Sequence, residues 1–344
     1  MKKNIVKVFG TGTTSQQFIT STIHKYLNNA MLNYDIDIID DINTFLELKL
    51  ESIPAVQLNN ESIVTLGKNN ELKDKLRKFL SDILSRENFG SLKKVVVPVD
   101  FSETSTNAFM FAHRFATQID AVTSVLHVHS SIKEKVEIEK RFDQFISQVD
   151  FDWKSDLLKA SLIEKNYKIG HVNNELLNLI TTSKPELVIM GSTGHSIQNN
   201  LFGSVSLSVI KKSPSNVLLI PKDAKYKKIK KIVFAFNNPN NLKKHLELTN
   251  HYANLFNAKM TYLYVRQDDA YDKDLIDFNP SENTDFLTLH NRNFSSALET
   301  FVEENPVEML MVRDKQNHIF DSVNNQNNIK KLSLYTEVPL FIIK

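Results

Sequence analysis

Two consecutive stretches of this chain spell the same alternation of strand-like and helix-like runs, and that repetition limits the possible folds more than any other feature. In residues 93–222 the strand-like runs are Val95–Val99, Ala121–Val128, Leu162–Lys168, Leu187–Met190 and Val217–Ile220. Between them lie segments of helical length: Glu103–Gln118, Glu134 to about Phe151, Val172 to about Ser183, and Val205–Lys212. The first carries Ala108, Phe111, Ala112 and Phe115 on one face, and Ser102 just before it suits an N-cap. Strands that alternate with helices imply a parallel sheet covered on both faces. Residues 229–344 repeat the plan. There the strands are Lys231–Phe236, Lys259–Val265, Glu308–Val312 and Val338–Ile343, and the helices Leu242–Phe256 and Phe294–Glu304. Only Arg266–Thr284 stands where the first copy has the helix after strand two, so that helix is expected to be short or absent.

The first copy holds the segment richest in chemistry, Met190-Gly-Ser-Thr-Gly-His-Ser-Ile-Gln-Asn-Asn-Leu-Phe-Gly-Ser-Val205. It leaves a buried strand and enters a helix. Gly191 and Gly194 let the backbone approach a ligand and adopt positive φ. Gly203-Ser204 sits at a helix start, where free N–H groups, the helix dipole and a hydroxyl suit a phosphate. Two glycine turns that bracket one loop at the end of a parallel strand form a cradle for a nucleoside triphosphate. The second copy has no glycine from Val312 to Val323, and it carries Asn237 and Ala235 where the first has Asp100 and Pro98.

This loop resembles the G-x2-G-x9-G-[ST] signature of the ATP-binding branch of the universal stress protein family, with eight residues, His195–Phe202, in the second interval. Val95-Val-Val-Pro-Val-Asp-Phe-Ser-Glu-Thr104 is similar to that family's first strand and turn, Leu126-His-Val128 to the end of its second strand, and Val217-Leu-Leu-Ile-Pro221 to its closing strand. The resemblance implies α/β architecture: two tandem five-stranded, Rossmann-like parallel-sheet domains at 93–222 and 229–344, the second degenerate. It implies ATP, with or without Mg²⁺, in the first copy alone. Asp100 would lie near base and ribose beside Pro98, and Val128 would offer backbone groups to adenine. Gly191, Gly194, Gly203 and Ser204 would hold the phosphates between Met190 and Val205. Family members dimerise through the last strand, so two copies on one chain imply an intramolecular pseudo-dimer.

Residues 1–88 form a different unit. Strand-like Val6–Phe9, Tyr34–Ile39, Ala55–Leu58 and Ile63–Leu66 combine with helical Phe18–Asn29, Ile42–Leu50 and Leu72–Leu84 in the order βαβαββα. That order resembles the thioredoxin fold, and Ser52-Ile-Pro-Ala55 resembles its cis-proline turn. Thr13 and Gln16 stand where its cysteines would be. Gly10-Thr-Gly-Thr-Thr-Ser15 also echoes a dinucleotide loop, but its third glycine position is Ser15, and a partial motif of this kind carries little weight.

With no cysteine anywhere, disulfides, thiol catalysis, Fe–S clusters and cysteine-ligated zinc are excluded. A formal net charge of +2 over 344 residues gives no footprint for nucleic acid. No apolar run approaches the ~18 residues that span a bilayer, and the first residues have no signal-like apolar run, so the cytoplasm is the expected compartment. His127 and His129 share one side of a strand and read as structural histidines. No nucleophile elbow, HExxH or poised base is present, which leaves at most a slow ATPase. The expected function is nucleotide-dependent signalling to an unidentified protein partner, and the alternative is an interaction scaffold that binds no nucleotide. Disulfide exchange needs a low-pKa thiolate, which neither Thr13 nor Gln16 supplies. The full chain is therefore expected to show no insulin-disulfide reductase activity, and measurable turnover would refute the redox-inert reading.

Overall fold

The computed structural model describes residues 4–29, 33–86, 93–119, 121–129, 135–148, 163–192, 203–222, 224, 226–266, 283–313 and 338–344. The chain divides into two compact units. In the first, β1 (Asn4–Phe9), α1 (Thr14–Asn29), β2 (Tyr34–Ile39), α2 (Ile42–Glu47), β3 (Ala55–Leu58), β4 (Val64–Thr65) and α3 (Asn69–Arg86) follow one another. The strands lie in the order β2-β1-β3-β4, with β1 and β2 parallel and β3 antiparallel to both β1 and β4. Val6, Val8, Val56 and Leu58 pack against Ile19, Ile23 and Leu27 of α1 and Leu76 and Leu80 of α3. On the opposite face Phe45 of α2 meets Phe9 edge-on at 6.4 Å. The Ile53–Pro54 peptide bond is cis.

Helix α1 begins at Thr14, four residues before the apolar periodicity starts at Phe18. Gln16 accounts for the difference. Its amide is buried; Oε1 accepts from the Gly12 N–H at 2.7 Å, and Nε2 donates to the carbonyls of Val8 (3.2 Å) and Ile39 (3.3 Å). One polar side chain thus ties the β1–α1 loop to two strands. Apolar periodicity cannot register that role.

The second unit contains β5 (Lys94–Pro98), α4 (Glu103–Gln118), β6 (Val122–His129), α5 (Lys135–Gln148), β7 (Ile163–Ile169), α6 (Val172–Ser183), β8 (Leu187–Gly191), α7 (Ser204–Lys212) and β9 (Val217–Ile220). It continues with β10 (Lys231–Phe236), α8 (Pro239–Phe256), β11 (Lys259–Arg266), β12 (Thr284–His290), α9 (Phe294–Glu304), β13 (Met309–Arg313) and β14 (Leu340–Ile343). The ten strands β5 to β14 form one sheet in the order β12-β11-β10-β13-β14-β9-β8-β5-β6-β7. Counted from its own first strand, each half has the order 3-2-1-4-5, with β5 or β10 as strand one. Strand β12 pairs in parallel with β11 over seven residues, Thr284 to His290. The sequence pattern offered no strand there, because Thr284-Asp-Phe-Leu-Thr-Leu-His290 mixes polar and apolar residues as an edge strand does. Helix α8 starts at Pro239, before the first periodic apolar residue Leu242. Proline fits the first helical turn, where its missing N–H costs nothing.

The two halves meet at β9 and β14, which run antiparallel with Leu340, Phe341 and Ile342 opposite Leu219, Leu218 and Val217. Every residue of both strands is buried. The contact extends into the helix layer: Phe115 of α4 lies 6.1 Å from Tyr252 and 5.7 Å from Phe256 of α8, and Tyr252 lies 4.6 Å from Phe341. On the other face one apolar core runs from Val96, Val188 and Val217 to Val233, Leu310 and Leu340. The Lys344 N–H donates to Asn216 Oδ1 at 3.0 Å, and its ammonium donates to the Ile210 carbonyl. Among the described residues no helix is long and apolar enough to cross a membrane. Full burial of an aliphatic or aromatic side chain contributes roughly 1.5–3 kcal/mol, so uncovering β9 carries a large penalty. A chain ending at Lys222 is expected to dimerise or aggregate in sedimentation experiments. A soluble monomer at high concentration would show that β9 needs no cover.

Candidate functional site

The site lies at the carboxyl ends of β8, β5 and β6, which are neighbours in the sheet. Strand order reverses between β5 and β8, and in open α/β sheets such a switch point is where ligands bind. Backbone register pairs Val95 with Leu187 and Val96 with Val188. Carried forward, it sets Pro98 beside Met190 and Val99 level with Gly191. The Val99 N–H donates to the Leu126 carbonyl at 2.8 Å, which brings the end of β6, with Val128, to the same edge.

Gly191 ends β8 directly beneath α4. A Cβ built there would stand 2.5 Å from Thr104 Cγ2, so the helix approaches the strand more closely than any side chain permits. The two ends of the glycine loop are pinned together. Gly203 N–H donates to the Ser192 carbonyl at 2.9 Å, and Ser206 Oγ–H donates to the Gly191 carbonyl at 3.0 Å. Gly203 is the N-cap of α7 and supplies no side-chain cap. Among the described residues, the first N–H groups of α7, starting at Ser204 and Val205, therefore have no intrahelical acceptor and no side-chain cap. An anion at the end of β8 would satisfy them and meet the positive end of the helix dipole. Gly194 and His195 lie outside the described residues.

Asp100 occupies the turn from β5 into α4. Its Oδ1 accepts from the Ser102 N–H at 3.0 Å and from the Ser102 hydroxyl at 2.5 Å. Ser102 in turn caps α4, accepting from the Ser105 N–H at 3.2 Å, as its position before the acidic first turn suggested. Asp100 thus braces the turn that places it beside the sheet end. Phe101, between them, adopts φ +60°, a conformation costly for a bulky side chain. Its ring lies 4.5 Å from His127, 5.4 Å from Phe142 and 5.5 Å from Phe145, with the Arg141 guanidinium 4.7 Å from its centroid. The aromatic contacts and the cation over the ring hold Phe101 there despite the strain. Neither Phe101 nor Arg141 stands out in the sequence, since a positive φ at a non-glycine leaves no compositional trace.

His127 and His129 share one side of β6, as strand alternation requires, with near-parallel rings 6.3 Å apart. His127 Nδ1–H donates to the Val99 carbonyl at 2.9 Å, so that nitrogen carries the proton. Among the described residues no three His, Asp or Glu side chains group as a metal site. Burial pushes the His127 pKa below its usual range; the carbonyl bond opposes that, Arg141 and His129 reinforce it, and Asp100 opposes it weakly.

The structure thus has a doubly wound α/β sheet with a helix start at its switch point that carries no side-chain cap. The universal stress protein family model matches residues 91–221, and this part of the chain is a universal stress protein family domain. Universal stress protein MJ0531 of Methanocaldococcus jannaschii is 25% identical over 160 residues, covering 44% of this chain and 94% of that protein. Universal stress protein MJ0577 of the same organism is 28% identical over 156 residues, covering 37% of this chain and 94% of its own. A universal stress protein structure from Archaeoglobus fulgidus aligns over 73% of this chain and 96% of that chain, with a TM-score of 0.50 at 16% identity, a likeness of fold.

A lowered histidine pKa means that the unfolded chain binds more protons than the folded one below the ordinary value near 6.5. Stability should therefore be full above that pH and fall as the pH drops through it. His245 of α8 is shifted the same way, first by burial and then by Arg313 and Lys244. In urea titrations His127→Gln is expected to lose less stability than the parent between neutral pH and about pH 5. Equal losses in the two proteins would show that His127 is not held neutral by the fold.

Proposed function

We propose that this protein is a tandem universal stress protein that binds ATP in residues 93–222 and transmits nucleotide state to a protein partner. The observation that carries this reading is the uncapped start of α7, tied by Gly203 and Ser206 to the backbone of Ser192 and Gly191 at the sheet's switch point. The β- and γ-phosphates would meet those N–H groups, Gly194 would line the loop, and Asp100 and Val128 would face ribose and adenine. Any Mg²⁺ would arrive on the phosphates.

The identical 3-2-1-4-5 strand order of the two halves supports a tandem reading, and the antiparallel β9–β14 contact supports an intramolecular pseudo-dimer. The second half would be the degenerate copy. In the first unit, the strand order and the two-sided helix layer support a redox-inert, thioredoxin-like domain that uses the surface near Thr13 and Pro54 to hold a peptide segment of the partner. A scaffold without nucleotide is the competing reading. It draws on Asp100, whose hydrogen bonds to Ser102 give that carboxylate a structural task of its own.

Calorimetric titration separates these readings. One ATP per chain is expected, and Gly194→Val should abolish it, because a branched Cβ would fill phosphate space and restrict φ. Two equivalent ATP sites would refute confinement to the first half, and no binding would favour the scaffold. Phosphate-release kinetics then separate a binder from a slow ATPase.

A further inference from the structure

The first unit leaves one side of its sheet unfinished. Among the described strands β2 pairs with β1 only, and it is the outer strand in the order β2-β1-β3-β4. The Ile39 carbonyl accepts from the Gly10 N–H at 3.0 Å, on the β1 side. Backbone N–H and C=O groups of successive strand residues point to opposite sides. Those of Ile36 and Ile38 therefore face outward, toward an edge with no further strand among the described residues.

Side chains alternate between the two faces of the same strand. Tyr34 and Ile36 pack against the core shared with α1 and α3, and Ile38 continues that row but is 57% exposed. Asp35 and Asp37 project from the other face and are exposed. Just beyond the strand, Ile42 and Leu46, one turn apart on α2, are 63% and 71% exposed. Four of the seven large apolar side chains exposed among the described residues fall within 38–48, so the exposure is concentrated here rather than scattered.

Charge decides what such an edge can accept. Residues 34–51 carry Asp35, Asp37, Asp40, Asp41, Glu47 and Glu51 against Lys49, and Lys7 of β1 lies level with Asp37. Asp41 is engaged as the N-cap of α2, whereas Asp37, Asp40, Glu47 and Glu51 are exposed. A second copy of this edge would set carboxylate against carboxylate, and an anionic lipid surface would be repelled in the same way. Charged residues along an open strand guard it against pairing with its like, and the same charges select a partner of opposite sign.

We propose that the outer edge of β2 docks an extended segment of a partner protein in which apolar residues alternate with lysine or arginine. Added as a fifth strand, such a segment forms its backbone hydrogen bonds with Ile36 and Ile38. Its apolar side chains lie beside Ile36 and Ile38 on one face, and its basic ones beside Asp35 and Asp37 on the other, which are the cross-strand pairs that stabilise a sheet. Ile42 and Leu46 offer further apolar contact past the carboxyl end of β2. The interaction needs neither nucleotide nor the surface near Thr13 and Pro54.

The test uses the full chain without nucleotide and fluorescein-labelled peptides of about ten residues, the length of a long strand, read by fluorescence anisotropy. Saturable binding is expected for a peptide that alternates valine and lysine, and it should weaken as salt is raised. The counterpart of valine and glutamate should not bind. A peptide of the first composition with its lysines in one block should bind at least about tenfold more weakly, since only alternation puts every charge on one face. Ile38→Pro removes an outward N–H and spares the bonds to β1, a substitution that edge strands tolerate; it should weaken binding at least about tenfold. Ile38→Lys, at a side chain already mostly exposed, should do the same and covers the case in which proline disturbs the strand. No saturable binding of the alternating peptide overturns the proposal. Equal affinity for the block peptide, or indifference to both substitutions, overturns it as well and marks adsorption by charge alone. Dimers in sedimentation that Ile38→Lys dissolves would give the edge to a second copy and overturn it too. ATP titration of either variant should match the parent, so failure here and failure of the nucleotide reading are read from different experiments.

Discussion

The antiparallel ladder between β9 and β14 is the contact on which the second unit depends. Each strand closes one half of the sheet, and each consists wholly of buried apolar residues. Left open, either would be an unpaired apolar edge, the kind of surface that recruits other chains. Pairing them hides both edges and leaves β7 and β12, which carry polar and charged residues, as the outer edges of the sheet. The rings of Phe115, Tyr252, Phe256 and Phe341 lock the joint from the helix layer.

Joined in this way, the halves can diverge at their carboxyl ends without losing their common frame. The first half brings α4 down onto Gly191 and pins the start of α7 to the end of β8. The strained Phe101 holds its turn in place under the Arg141 guanidinium. The second half has Arg313 at the level of Gly191 and asparagine in place of Asp100. The same sheet end thus carries a glycine in one half and an arginine in the other.

The first unit shows a related economy. The absence of cysteine leaves the loop after β1 with no thiol to present, and Gln16 there bonds to Gly12, Val8 and Ile39. Its amide closes the loop with three hydrogen bonds where a reactive group would need exposure. Under the reading proposed for this unit, what remains to function is shape and surface rather than chemistry.

The sequence by itself determined the α/β class, the strands of both halves apart from β12, and the glycines at the end of β8 and the start of α7. These depend on local signals: runs of apolar residues fix buried strands, and glycine and helix-capping residues act on their immediate backbone. Helix starts are less legible, because Gln16 and Pro239 act through a polar tether and a missing N–H that periodicity does not weigh. Strand β12 leaves no clear local signal, because an edge strand needs only one apolar side. Tertiary structure alone decided the union of the two halves in one sheet, the αL turn at Phe101 and the contact of Thr104 with Gly191. Each of these joins residues far apart in the chain, and their relation is set by strand order and register, which no local pattern encodes.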